Sequence, residues 1–224
     1  MDAASILARS TLFGQLDPSE LEQVAQLART RSLAKDSMVF MQGDPGDALY
    51  GIARGKVLIS LSTPEGKEFS LNLLEAGEVF GEIALLDGHP RTANARTLEE
   101  TQLVVIHRAH FANLVEQHPA VALHLLQLLC ARLRWNAQLI EEFSLLSVPA
   151  RLARRLLTLG QLLGKPGADG ETVLDIAQAE LAQFLGVSRQ VVNQHLQDWR
   201  RSDWIDLGRG KVILLDPDAL KQVQ

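Results

Sequence analysis

The residues that could do chemistry in this 224-residue chain fall in two short segments. The first is Phe80–Ala93, FGEIALLDGHPRTA. Gly81, Glu82, Ile83 and Ala84 read as a tight turn opening a small helix, where backbone N–H groups without a helical acceptor can face an anion. Arg91 is spaced to return to the same place from the next strand. Its guanidinium is a permanent, two-pronged charge that suits a phosphate diester. The Glu82 carboxylate can accept from a ribose hydroxyl, and a buried Glu82–Arg91 ion pair is the plainer use of the same residues.

The second segment is Gln178–Asp198. Leu181, Phe184 and Leu185 mark a short helix, Gly186 permits a tight turn, and Ser188 is placed to cap the next helix. There Val191, Val192 and Leu196 bury one face, leaving Arg189, Gln190, Asn193 and Gln194 on the others. Arg can read guanine bidentately in a major groove, and Gln or Asn can read adenine. An ordinary helical hairpin with a solvated face is the alternative. Beyond it, Ile205–Leu207 and Val212–Leu215 flank Gly208-Arg209-Gly210-Lys211, a hairpin with a basic tip. Arg209 and Lys211 can neutralise phosphates without reading sequence, and Gln178 can add a backbone contact.

Other candidate groups carry less. His107 and His110 sit at a strand-to-helix junction with no cysteine or carboxylate pattern around them, which reads as surface rather than metal or haem ligation. Cys130 is the one cysteine, so neither an internal disulfide nor a four-cysteine iron–sulfur cluster can form in one chain. It reads as a small buried side chain on a helix in a reducing cytoplasm. No catalytic triad, P-loop lysine or metal set accompanies the first segment, so the reading is of binding without catalysis.

The elements that must position these groups follow from periodicity. Asp17-Pro18-Ser19-Glu20 starts an early helix carrying Leu21, Val24 and Ala25. Short β-type runs follow at Met38–Met41, Leu49–Ala53, Val57–Leu61, Phe69–Leu74, Val79–Phe80 and Leu103–Ile106. Gly55, Gly66, Gly77 and Gly88 recur at regular intervals, which suits an antiparallel roll turning corners as well as ordinary hairpins. From about Pro119 to Ser147 the apolar series Ala122, Leu126, Leu129, Leu133, Ile140 and Phe143 steps by threes and fours, with Asn136 filling its gap. That is the period of a two-stranded coiled-coil seam, and so of a homodimer, with a helix buried inside a monomer as the alternative. Pro149 breaks it, Ala150–Leu163 is a further amphipathic helix, and Gly164–Gly170 is a surface loop by composition.

Net charge is −5 but uneven: residues 148–224 hold ten Lys/Arg against nine Asp/Glu, leaving twelve against eighteen before them. An acidic sensor joined to a near-neutral reader is compatible with nucleic acid, because local placement of cations outweighs the total. No apolar run approaches the roughly 20 residues of a membrane span, and the N-terminus has no basic stretch followed by an apolar core.

With both segments in place, the chain resembles the cyclic-AMP receptor protein/FNR superfamily, from Leu12-Phe13 through the final hairpin. The resemblance implies an α+β fold: an N-terminal antiparallel, jelly-roll-like β-roll sensor (1–117), a long dimerisation helix (118–147) and a C-terminal winged helix-turn-helix (148–224). It implies a DNA-binding regulator, not an enzyme, gated by a cyclic nucleotide. Glu82 would then bind the ribose, Arg91 and nearby amides the cyclic phosphate, and Thr92 the phosphate or base edge, with Gly81, Ala84 and Leu85 shaping the cassette. Asn136-Ala137 stand where the cyclic-AMP receptor protein has a Thr-Ser pair for adenine. Asn136 can meet either purine, and Thr92 suits cyclic GMP as well as cyclic AMP, so both nucleotides stay open. Arg189 would contact a half-site guanine, while Gln190 and Gln194 replace a Glu and an Arg. Implied partners are a two-fold DNA operator, a second copy of the chain and RNA polymerase. The implied location is the cytoplasm, with no membrane, metal, haem or iron–sulfur cluster. Cyclic di-GMP or no effector, and a regulatory subunit that never meets DNA, are the rival readings.

Overall fold

The computed structural model describes residues 3–64, 68–167 and 170–223. Two compact units form, Met1–Trp135 and Asn136–Gln224. In the first, α1 (Ala3–Leu7) and α2 (Pro18–Leu27) precede the strands. Asp17 caps α2 through a reciprocal box: its carboxylate accepts from Glu20 N at 2.9 Å, and the Glu20 carboxylate accepts from Asp17 N at 2.9 Å.

The strands are β1 (Arg29–Leu33), β2 (Met38–Phe40), β3 (Ala48–Arg54), β4 (Val57–Ser62), β5 (Glu68–Leu74), β6 (Val79–Phe80), β7 (Asn94–Thr97) and β8 (Thr101–His107), with α3 (Glu82–Asp87) between β6 and β7. They make two antiparallel sheets, in the orders β1-β8-β3-β6 and β2-β7-β4-β5. The unbroken apolar run of β8 is explained by burial on both faces. Leu103 and Val105 join Tyr50, Ile52, Val57, Leu74 and Phe80 inside the roll. Val104 and Ile106 face the other way, onto Leu12, Phe13 and Val24 and onto α4 (Arg108–Gln117) and α5 (Pro119–Leu145).

Two strands lie outside the sequence runs. β1 is polar and almost wholly exposed, and exists because it pairs with β8 from Arg29↔Val105 to Leu33↔Thr101. β7, Asn-Ala-Arg-Thr, lacks strand-forming apolar residues, yet pairs with β2 and β4 and buries Asn94, Ala95 and Thr97. Of the regularly spaced glycines, Gly55, Gly77 and Gly88 adopt φ of +97°, +95° and +77°, which favours glycine, and Gly66 lies outside the described residues.

On α5, Val121 and Leu125 are buried in the first unit's core. The seam faces away: Leu126, Leu133 and Ile140 are 59%, 68% and 68% exposed, and Asn136 is exposed. Ala122 and Leu129 are half-buried, and Phe143 lies under the Arg151 guanidinium at 4.4 Å. Cys130 is exposed, not buried as its residue type suggested. At 3.6 residues per turn it falls about 180° round the helix from Val121, on the side without a core.

The second unit continues with α6 (Val148–Leu163), β9 (Lys165–Pro166), β10 (Thr172–Leu174), α7 (Gln178–Leu185), α8 (Arg189–Arg201), β11 (Ile205–Gly208), β12 (Lys211–Leu214) and α9 (Pro217–Lys221). Ser147 Oγ accepts from Ala150 N at 3.3 Å and starts α6, with Pro149 in its first turn. The segment expected as pure loop contains β9, which pairs with β10; Ala168 and Asp169 lie outside the described residues. The sheet order is β11-β12-β10-β9, and Leu152, Leu156, Leu174, Leu181, Val192, Leu196 and Val212 are buried. Among the described residues no helix is long and apolar enough to cross a membrane.

Candidate functional site

β6 ends at Phe80, Gly81 turns the chain at φ +82°, and α3 begins with Glu82. A Cβ at Gly81 would lie 2.8 Å from Arg91 Nη1, so close approach and backbone angle both demand glycine there. The Arg91 side chain is 3% exposed. Its Nη1 donates to Gly81 O at 2.9 Å and its Nη2 to Ala48 O at 2.9 Å, while Nε is buried without an acceptor. The guanidinium lies 4.3 Å from the Phe40 ring centroid and 5.4 Å from that of Tyr50, in an aromatic cluster closed by Phe80. Burial pulls the Arg91 pKa below its ordinary value, opposed by Tyr50, Asp47 and Asp44.

The main chain of Arg91 is equally constrained. Its N–H donates to Asp44 O at 2.8 Å, and its carbonyl accepts from Gly43 N at 2.9 Å. Asn94 braces the same loop, accepting from Gln42 N at 2.8 Å and donating to Ser62 Oγ at 2.7 Å.

Glu82 is 5% exposed in the first turn of α3, and no described residue hydrogen-bonds or pairs with its carboxylate. Gly81 lies against Arg91, and a Cβ at Gly46 would meet both Ala84 and Arg91 Nε, so Gly81, Ala84 and Arg91 close on one place next to Glu82 in the chain, with Ile83 at 40% exposure and Thr92 also exposed. The Glu82–Arg91 ion pair does not form, because the guanidinium spends its donors on main-chain carbonyls. What remains is a buried cation with an unsatisfied N–H, a helix start and a buried acceptor, groups whose chemistry suits an anion bearing hydroxyls. Asn136 belongs to the second unit, and the cassette forms within the first unit.

Sequence reasoning missed Phe40, Tyr50, Gly46 and Arg108. A Cβ at Gly46 would overlap the Ala84 methyl, so that glycine lets the loop lie against α3. Arg108 Nη2 donates to Gly46 O at 2.9 Å and to Ala84 O. The turn-forming string Gly43-Asp44-Pro45-Gly46 was a usable signal for the loop. Arg108 has none in sequence.

The reader forms as expected. Gly186 turns at φ +64°, Ser188 Oγ accepts from Val191 N at 3.4 Å, and Val192, Leu196 and Trp199 point inward from α8. Arg189, Gln190 and Gln194 are exposed. Asn193 is half-buried, and its Oδ1 accepts from Gln178 Nε2 at 3.1 Å, a bond that ties α7 to α8. Arg209 stands in the two-residue turn between the paired Gly208 and Lys211. Lys211 Nζ is 3.5 Å from Asp175, which also binds Lys165 at 2.7 Å; the Lys165 hydrogen bond holds the Asp175 carboxyl below its usual range. His107 Nδ1 lies 3.5 Å from Asp47 and is partly exposed, and no His, Cys, Asp and Glu among the described residues gather as a metal set.

Residues 30–118 match the cyclic nucleotide-binding domain model, and residues 150–223 match the Crp-like helix-turn-helix domain. A CRP-like cAMP-activated global transcriptional regulator of Mycobacterium tuberculosis is 33% identical over 216 residues, 96% of each chain. The chain belongs to the CRP/FNR superfamily. A cyclic AMP receptor protein of Thermus thermophilus is similar to this CRP/FNR chain at 34% identity, over 96% of both. The solved structure of the c-di-GMP responsive regulator CLP from Xanthomonas campestris shares its fold, with a TM-score of 0.80 at 23% identity, covering 88% of this chain and 99% of that one. This CRP/FNR protein is accordingly a cyclic-nucleotide-responsive, DNA-binding transcription regulator.

Proposed function

We propose that cyclic AMP is the nucleotide, held with its cyclic phosphate on Arg91 and the first-turn N–H groups of α3, and its ribose hydroxyl on Glu82. The observation that carries this reading is Arg91 itself: a guanidinium 3% exposed, with no acceptor at Nε and no carboxylate paired with it among the described residues. An unpaired buried charge is costly, and an anion brought to it recovers that cost. The M. tuberculosis and T. thermophilus relatives, named for cyclic AMP, support the choice of base. Asn136, on α5, is the residue whose amide would favour one purine over the other.

Binding then acts on a homodimer formed through the exposed seam of Leu126, Leu133 and Ile140. A ligand moves such a switch only through its preference for one arrangement. The favoured arrangement sets two α8 helices on half-sites about 34 Å apart, one helical turn of DNA. Arg189 reads guanine, Gln190 and Gln194 read bases as neutral amides, and Ser188, Gln178 and Asn193 steady the helix. Arg209 and Lys211 hold phosphates. The regulator works without catalysis, in the cytoplasm, with RNA polymerase as its protein partner.

Calorimetric titration of the full chain with cyclic AMP, cyclic GMP and cyclic di-GMP, paired with operator retention under each, tests the proposal. Tight binding of cyclic AMP with a gain in operator affinity is expected. Equal operator affinity with and without every nucleotide would sink the gating.

A further inference from the structure

The cassette must keep two segments in register: the loop that carries the Arg91 main chain, and α3, whose first turn faces the phosphate. Arg108 touches both. It opens α4 directly after β8, and its main-chain N–H donates to Asp47 O at 2.7 Å. Its Nη2 donates to Gly46 O at 2.9 Å, on the loop, and to Ala84 O, on α3. Ala84 O also accepts from Gly88 N at 3.2 Å, so the same carbonyl closes the helix and anchors it to Arg108. Gly88 keeps the space open, since a Cβ there would stand 3.0 Å from Arg108 Nη1 at a backbone φ of +77°.

The guanidinium has no other visible task. Its Nε is buried without an acceptor, and no carboxylate pairs with it among the described residues. A charge held between two carbonyls, with no acid beside it, is a poor device for stability alone. As a planar, rigid fork it does fix the spacing of the groups it joins better than a flexible ammonium would. The half-buried Arg108 also lines a groove of about 570 Å³ with Leu85, Phe111 and Leu125.

We infer that Arg108 is a positioning residue for nucleotide binding. It holds loop 43–47 against α3 at the separation that lets Arg91 and the α3 N–H groups grip one phosphate together. This rests on the proposed use of the cassette, and it adds a residue that does not touch the ligand.

The test is a double-mutant cycle in the full chain, read by titration with cyclic AMP and cyclic GMP. Arg108→Met keeps the apolar stem and removes the donors. It should weaken binding about tenfold, the lower end of what one charge-assisted hydrogen bond is worth, because Arg108 acts on the ligand only through α3 and the loop. In an Arg91→Lys background the same change should cost little, because the grip it supports is already lost. Arg108→Lys should recover part of the affinity. Amide hydrogen exchange on the unliganded protein gives a second readout. In Arg108→Met, exchange should quicken in α3 and residues 43–47 while β3 and β8 stay protected. An equal loss of affinity in both backgrounds, or unchanged exchange in α3, overturns the positioning role while leaving the cassette reading intact. A wild-type chain that binds neither nucleotide overturns the cassette reading, and this role with it.

Discussion

Arg91 in the cassette is 3% exposed, whereas Arg189 at the head of α8 stands in solvent. Both are proposed to meet phosphate or base, yet the protein builds around them in opposite ways. Arg91 is stacked on Phe40, bonded to two carbonyls and pinned through its own main chain. Arg189 is left free on a helix whose other face supplies the rigidity through Val192, Leu196 and Trp199. The difference follows from ligand size. A small anion must be stripped of water and enclosed before a single charge can hold it firmly, so its site is concave and made by several segments. A duplex is larger than the domain and is read from outside, so one helix and one hairpin suffice.

That contrast can be broken at four places. The largest effect belongs to Arg91→Gln. Truncating a buried charge partner costs about 2–5 kcal/mol of binding, so nucleotide affinity should fall at least thirtyfold or so in calorimetry. Nucleotide-independent DNA retention should hardly change. A modest loss would mean that the cassette is not an enclosed charge trap. Arg189→Ala comes next, expected to lose about 1–3 kcal/mol of operator affinity and to relax specificity at one base pair. If binding to random DNA fell just as far in the same retention assay, Arg189 would be a phosphate contact instead.

Smaller again is the wing. Lys211→Ala should weaken all sequences alike and reduce the salt slope of binding by about one. Asp175→Asn should do the reverse, since Asp175 now competes for Lys211 at 3.5 Å. The smallest effect tests the support of the sensor rather than its site. The Asp17 carboxyl is held below its usual value, chiefly by the Glu20 N–H. A depressed carboxylate stabilises the fold above its ordinary pKa of 3.8, and that contribution disappears as pH falls through the lower folded value. Asp17→Asn keeps a cap but removes the titration, so thermal melts of the two proteins should differ by a constant offset well above pH 3.8 and converge as pH falls below it. Parallel melting curves at every pH would show that the cap contributes no linkage.

How much of this was legible in the sequence divides along the same line. The helix-turn-helix could be read almost residue by residue, because its determinants are local. Gly186 sets the turn, Ser188 caps, and a 3.6-residue rhythm separates the buried Val192 and Leu196 from the exposed Gln190 and Gln194. The seam of α5 was readable for the same reason. Periodicity carries only what lies along one element, so it could not place Cys130 on the exposed side of α5.

The roll is where tertiary structure decided matters. β1 and β7 are strands by virtue of their neighbours, since a polar edge and an Asn-Ala-Arg-Thr segment have no preference of their own to declare. Residue types alone determined that Glu82 and Arg91 were the groups to watch. Whether they would neutralise one another or wait for a ligand depended on carbonyls contributed by Ala48 and Gly81. The stacking of Arg91 on Phe40 and the bridge from Arg108 to Gly46 join residues about fifty and sixty positions apart. Local chain chemistry sets which side chains are available and which way an element turns; only the packed roll brings a loop, a short helix and a strand close enough to exclude water from one buried charge.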